Sequence, residues 1–138
     1  MEHYINTNKK ELNVIAIHDY ISNSSYWGRG RSLDEVQITI DNSLCFGLYS
    51  EDGTQMGFGR VVSDYLIFAY LMDVIIFEKF QGKGLGKSLV KHIMNHEVLK
   101  KVSTIGLKTK DAHGLYEDYG FKKIENSPLW MSIDKMKL

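Results

Sequence analysis

The chain of 138 residues has one proline, one cysteine and no net charge, and each scarcity narrows what it can be. A lone thiol, Cys45, cannot form an internal disulfide, and its place in Leu44-Cys45-Phe46 marks it as a small packed hydrophobe in a reducing compartment. The 17 basic and 17 acidic residues cancel, so no broad field recruits nucleic acid or an anionic membrane surface. A small molecule or a local protein partner is the expected ligand. Met1-Glu2-His3-Tyr4 lacks the basic start and apolar run of a secretory signal, which makes a cytoplasmic location the expectation. No long hydrophobic run is present either. The longest, Leu66 to Phe77, is interrupted by Asp73 and is shorter than the ~20 residues needed to cross a bilayer, so it reads as a buried strand. With 43% apolar residues, residues 1–138 are expected to bury one core as a single domain.

What is present alternates between two periodicities. Asn8, Glu11, Leu12, Ile15 and Ala16 predict a first helix from about Lys9 to Ile21. Ser32-Leu33-Asp34-Glu35 is a capping box that opens a second helix with Leu33, Val36 and Ile40 on one face. The aperiodic stretch between them, Ser22 to Arg31, is a loop with two large aromatics. Leu44 to Tyr49 and Met56 to Ser63 predict strands joined by a tight turn at Asp52-Gly53, and Leu66 to Phe77 predicts a third after Asp64-Tyr65. Leu85, Leu89, Val90, Ile93, Met94 and Val98 share one side of a long amphipathic helix. Thr104 to Lys108 reads as a strand, and Asp111 is expected to cap a short helix that Gly120 ends. Phe121 to Ile124 and Leu129 to Ile133 read as two closing strands on either side of Pro128.

The chemistry centres on Gln81-Gly82-Lys83-Gly84-Leu85-Gly86, between a buried strand and a helix. Glycines there let backbone fold closely around a ligand, and a helix N-terminus joins free N–H groups to the positive end of the macrodipole, a setting for phosphate. The dinucleotide fingerprint fails on spacing: counting from Gly82 the third glycine falls on Lys87, and counting from Gly84 it falls on Leu89. The nucleotide-triphosphate loop is a near miss, since Gly86-Lys87-Ser88 matches its end but Gln81 occupies its first glycine position. Gln81, Gly84 and Gly86 fit a third pattern: Gln or Arg, two residues, Gly, one residue, then Gly or Ala.

With that loop, the preceding strand and Ala112-His113-Gly114-Leu115-Tyr116-Glu117-Asp118-Tyr119-Gly120-Phe121, the chain resembles the GCN5-related N-acetyltransferase superfamily from about Leu44 to Ile133. The resemblance implies an α/β (α+β) single-domain fold. Its mixed, mostly antiparallel sheet would have about six to seven strands and about four flanking helices, with a splayed strand pair at the cofactor site. It implies acetyl-CoA as co-substrate, its pantetheine arm held by Val74, Ile75 and Ile76 and its pyrophosphate by the amides of Gly82, Lys83, Gly84, Leu85, Gly86 and Lys87. It implies Tyr116 as the acid that protonates the departing thiolate. Where many members carry a cofactor-contacting asparagine, this chain has Thr109, whose hydroxyl can replace part of that contact.

Transfer of an acyl group from a thioester to an amine needs a deprotonated amine, a polarised carbonyl and a proton for the leaving sulfur. A tyrosine with an ordinary pKa of about 10 can supply that proton, with a packed core tyrosine as the other reading of Tyr116. Asp73, inside an apolar strand, is the candidate base, with a structural pairing to Arg60 as its alternative and Glu78 as the second choice. A backbone amide near Ile75 would polarise the carbonyl. The resemblance places Tyr26, Trp27, Arg29 and Arg31 on a substrate-facing loop, where aromatics can wall an amine site and arginines can hold a carboxylate or phosphate. Arg60 is grouped with them as a substrate contact. His92 and His96 have metal-ligand spacing without a third ligand, so no metal is expected. The expected function is therefore acetyl transfer to an amine of a small molecule or peptide, with a non-catalytic acyl-CoA-binding module as the alternative and a homodimer as one option for assembly. The loop reading predicts that CoA raises the melting temperature and Mg-ATP does not; stabilisation by Mg-ATP alone would return the loop to the nucleotide-triphosphate class.

Overall fold

The computed structural model describes residues 2–136. They form two compact units, one ending at Lys108 and the other starting at Thr109. The first contains β1 (His3–Asn6), α1 (Val14–Ser24), α2 (Leu33–Asp41), β2 (Leu44–Ser50), β3 (Gln55–Ser63), β4 (Phe68–Ile76), α3 (Leu85–Met94), α4 (Glu97–Lys101) and β5 (Thr104–Leu107); the second contains α5 (His113–Glu117). No helix among the described residues is long and apolar enough to cross a membrane.

The strands form one open sheet in the order β1-β2-β3-β4-β5, antiparallel until the last pair, which is parallel. That change follows from connectivity. Hairpins join β2 to β3 and β3 to β4, whereas a parallel neighbour needs a crossover, here supplied by α3 and α4. Strand alternation then gives the sheet two buried faces. Ile17 and Ile21 of α1 and Val36 and Ile40 of α2 pack with Cys45, Phe58 and Ile75 on one face. On the other, Phe46 meets the edges of the His92 and His96 rings, at centroid distances of 6.1 and 5.4 Å, and α3 buries Leu85, Leu89, Val90 and Ile93. Burial holds the His92 imidazole below its ordinary pKa, with His96 adding a smaller push in the same direction. The same desolvation drives the buried Cys45 thiol up to about 11, which suits an inert packing group.

The local signals account for most boundaries. Ser32 and Glu35 make the reciprocal capping box, the Ser32 Oγ accepting from the Glu35 amide at 3.1 Å and the Glu35 carboxylate from the Ser32 amide at 2.8 Å. Val36 and Ile40 are buried as expected, but Leu33 is exposed. The Asp64 carboxylate accepts from the amides of Leu66, Ile67 and Phe68 and turns the chain into β4; those bonds also lower its pKa.

Several expectations need correction. The first helix is split: Asn8 caps a 3-10 turn, Lys9–Glu11, and Asn13 accepts from the Ala16 amide to cap α1 two residues after that turn ends. The long helix is also split, because the His96 Nδ1 accepts from the Val98 amide at 3.2 Å and starts α4. Thr109, rather than Asp111, supplies the side chain at the start of α5, its hydroxyl accepting from the Ala112 amide at 3.1 Å. The described residues form five strands and five α-helices, against six to seven strands and about four helices expected. β1 was invisible as a four-residue apolar start, and neither closing strand forms. Ile124–Asn126 is a 3-10 turn, and Leu129, Met131 and Ile133 are 91%, 92% and 89% exposed. Their alternation defines a face, but a strand also needs a neighbour to accept its ladder, and this segment has none among the described residues.

β3 and β4 approach closely at one point. An added Cβ on Gly57 would lie 2.8 Å from the Ile75 carbonyl oxygen and 2.9 Å from the Ile76 Cδ1. Gly57→Ala should therefore cost about 1–3 kcal/mol through overpacking, read as a lower urea midpoint with an unchanged m-value.

Candidate active site

β4 carries two irregularities that together make a site. Its pairing with β3 runs from Ala69 opposite Ser63 to Met72 opposite Arg60, then resumes with Ile75 opposite Phe58, so Asp73 and Val74 together face Gly59. This is a β-bulge, with Asp73 at φ 50° in the left-handed region. On the other side, pairing with β5 ends at Leu71 opposite Leu107 although β4 continues to Ile76. From Met72 onward, no strand among the described residues pairs with that edge of β4, beside the bulge. Val74, Ile75 and Ile76 lie on this stretch.

The chain leaves that edge through a 3-10 turn, Glu78–Phe80, and enters the glycine loop. Gly82 and Gly84 both sit at φ 79°, where a side chain would be strained, and Gly84 is the N-cap of α3 with no side-chain capping bond. The Gln81 side-chain amide donates to the Ile76 carbonyl at 2.9 Å and to the Tyr20 hydroxyl at 3.2 Å, tying the loop to the end of β4 and to α1. No amide from residue 82 to 87 has a backbone carbonyl partner among the described residues; the first that does is Ser88, donating to Gly84 at 3.3 Å. Free N–H groups at the start of a ten-residue helix, with Lys83 and Lys87 among them, form an anion cradle. Gly86 differs from its neighbours. It has no positive φ, and its would-be Cβ meets only the Ile76 Cγ1, at 3.8 Å, so nothing inside the protein demands a glycine there. Space held open beside unpaired amides fits a cofactor with a pyrophosphate and an extended amide-bearing arm.

Next to this edge the structure gathers Trp27, Arg31, Arg60 and Asp73. The Asp73 Oδ1 accepts from the Trp27 indole N–H at 2.8 Å, and its Oδ2 accepts from Arg31 Nη1 and Arg60 Nε, both at 2.9 Å. Arg60 also donates to the Ser43 hydroxyl at 3.1 Å and to the Met72 sulfur at 3.3 Å. Both Arg60 and Asp73 are buried. Trp27 stands edge-on to Tyr26, at a centroid distance of 5.2 Å and an interplanar angle of 87°, while Arg29 is exposed. Of the five residues grouped on the substrate side, Tyr26 and Trp27 come together, Arg29 faces solvent, and Arg31 and Arg60 are engaged with Asp73. The Arg31 and Trp27 bonds to Asp73 span 42 and 46 residues, and no local signal announces them.

The second unit holds Thr109 and Tyr116. Thr109 starts the turn into α5, Tyr116 is buried on that helix, and its ring lies edge-on to Phe121 at 5.9 Å. Gly120 at φ 94° ends the segment, with its amide donating to the Glu117 carbonyl at 3.0 Å.

Residues 41–123 match the acetyltransferase (GNAT) domain family. The chain belongs to the GNAT family. Among curated proteins it is 36% identical over 99 residues to the uncharacterized N-acetyltransferase ycf52 of Gracilaria tenuistipitata var. liui, covering 67% of this chain and 54% of that protein. It is 30% identical over 125 residues to the ycf52 protein of Pyropia yezoensis, covering 87% and 70%. The chain thus spans about half the length of the first relative. Among solved structures, an acetyltransferase assigned to the GNAT family from Xanthomonas campestris superposes with a TM-score of 0.87 at 36% identity, over 96% of this chain and 94% of that one. The ribosomal-protein-S18-alanine N-acetyltransferase of Escherichia coli shares the fold, with a TM-score of 0.70 at 20% identity, covering 88% of this chain and 78% of that one. GNAT proteins use acetyl-CoA in general.

The cradle predicts a separation of stability from binding. Gly86→Val should weaken CoA binding by about tenfold or more, through a side chain placed beside the amides that lack backbone partners, while changing the melting temperature little. Calorimetric titration alongside thermal unfolding checks this; unchanged CoA affinity would show that the cradle is not used.

Proposed function

We propose that this chain is an acetyl-CoA-dependent N-acetyltransferase that moves the acetyl group directly, in a ternary complex, to the primary amine of a small molecule or peptide. The observation that carries the reading is the β4 edge, unpaired among the described residues, followed through a short turn and the glycine loop by a helix start whose amides lack backbone partners. An extended ligand can lie along the first as an added strand would, and its phosphates can end on the second. Acetyl-CoA supplies an activated thioester; the remaining work falls to the protein.

In this reading the backbone of Val74, Ile75 and Ile76 aligns the pantetheine arm, and an N–H near Ile75 polarises the thioester carbonyl. The amides of Gly82, Lys83, Gly84, Leu85, Gly86 and Lys87 hold the pyrophosphate. Gln81 shapes the loop through its bonds to Ile76 and Tyr20 and contacts the cofactor only by way of that shape. Thr109 takes the place of the asparagine found in many relatives, although its hydroxyl already accepts a bond from Ala112. Tyr116 donates a proton to the departing sulfur, and Tyr26 and Arg29 face the acceptor.

Asp73 is less suited to the role of base than its place in the sequence suggests. Three donors from two guanidinium groups and an indole already converge on its oxygens, and taking a proton would break charge-assisted bonds inside the protein. The proton of the incoming ammonium passes instead to water or to the exposed Glu78 carboxylate. Arg60 shares that inward engagement and is a partner of Asp73 rather than of the substrate.

Thiol release from acetyl-CoA across a panel of amines tests the activity. At least one amine should raise release well above buffer hydrolysis; none doing so, with CoA still bound, would favour an acyl-CoA-binding module. Tyr116→Phe should lower kcat by about a hundredfold or more with CoA affinity nearly intact. Unchanged turnover would reassign Tyr116 to packing.

A further inference from the structure

The loop between α1 and α2, residues 25–31, is folded on itself before it meets anything else. The Ser25 hydroxyl donates to the Ile21 carbonyl at 2.6 Å and accepts from the Gly28 amide at 3.0 Å. The Arg31 amide donates to the Gly28 carbonyl at 3.0 Å, and the Gly30 amide to the Ser22 carbonyl at 3.3 Å. Gly28 is pressed so closely on α1 that an added Cβ would lie 2.3 Å from the Ile21 Cγ2 and 3.3 Å from the Arg31 Nη2. This is a shaped loop. Trp27 and Arg31 bond it to Asp73 of the sheet.

Asp73 is also the residue that makes the bulge in β4. A left-handed conformation is unfavourable for a side-chain-bearing residue, though Asp tolerates it better than most. Its ion pairs with the buried Arg60 and the partly exposed Arg31 can hold it there, since a carboxylate inside the protein is stable only while it stays paired. The side chain of Asp73 is 1% exposed and that of Arg31 16%, so the pair is shielded from water and salt. The next residue in the chain is Val74, on the open edge.

We propose that Asp73 is a positioning residue that clasps the α1–α2 loop to the β4 bulge through Arg31 and Trp27, so that one carboxylate sets both the acceptor wall and the cofactor edge. This rests on the acetyltransferase reading. It assigns Arg31 and Trp27 to the alignment of the amine rather than to contact with it, and leaves Tyr26 and Arg29 as the outward part of the loop.

The test uses the full chain with Arg31→Ala, Arg31→Lys and Trp27→Phe, variants at partly exposed positions, with Asp73→Asn as a fourth. Hydrogen exchange of the peptide covering residues 22–31 is measured beside steady-state kinetics on the amine selected by the panel and calorimetry with CoA. Arg31→Ala should speed exchange at Gly28, Gly30 and Arg31 and raise the amine KM by about tenfold or more, leaving CoA affinity near its original value. Arg31→Lys, which keeps the charge without the fork, should recover part of both effects, and Trp27→Phe should resemble Arg31→Ala in weaker form. Unaltered exchange in Arg31→Ala overturns the clasp. So does an unaltered amine KM with a fall confined to kcat in Asp73→Asn, which would make Asp73 the base. If no amine is turned over, faster exchange still supports the clasp while the acetyltransferase reading falls.

Discussion

The carboxylate of Asp73 accepts from Trp27, Arg31 and Arg60, and four parts of the chain meet through that one group. Arg60 comes from β3 and reaches on to Ser43, the residue that links α2 to β2; Trp27 and Arg31 come from the α1–α2 loop; Asp73 itself bends β4. Two guanidinium groups against one carboxylate leave a surplus of positive charge, which Arg31 relieves by reaching partly to solvent. The arrangement is a demanding one physically, because buried charges are tolerated only when every one is paired and bonded. The residue that satisfies it sits in the β4 bulge, at φ 50°.

The sheet shows what that bend accomplishes. β4 is bound to β3 on both sides of the bulge but to β5 only up to Leu71, so among the described residues no strand lies on that edge of its second half. Gly57 allows β3 and β4 to close up tightly just past the bulge. The glycine loop continues from the same strand end, anchored there by Gln81. The open edge, the bulge and the cradle therefore lie in one run of sequence from residue 72 to 87, tied to α1 and the α1–α2 loop through Gln81 and Asp73.

Features governed by local chemistry were legible in the sequence. The capping box at Ser32 and Glu35, the turn after Asp64, the glycine loop and the Gly120 stop each depend on residues a few positions apart, and each is present. Features governed by distant partners were not. β1 exists because β2 pairs with it, with Tyr4 opposite and stacked on Tyr49, and four residues cannot advertise that alone. The last closing strand failed for the converse reason, since Leu129, Met131 and Ile133 alternate correctly but have no strand to pair with among the described residues. At the site, Asp73 stood out as an acid in an apolar run, and Arg60 was foreseen as its structural alternative. The two donors from the α1–α2 loop, which change what Asp73 can do, are more than forty residues away.

The open half of β4 has a colloidal side as well. An unpaired ladder edge in an apolar strand is the kind of surface on which a second chain can add itself, and proteins usually blunt such edges with charge, proline or a covering segment. Here the side chains along residues 74–76 are Val, Ile and Ile, none of which does so. The bulge, which twists this stretch away from a flat ladder, is the protection the fold itself provides, and a ligand lying along the edge would complete it. Occupancy of the site and resistance to self-association are in that sense two readings of the same hydrogen-bonding groups.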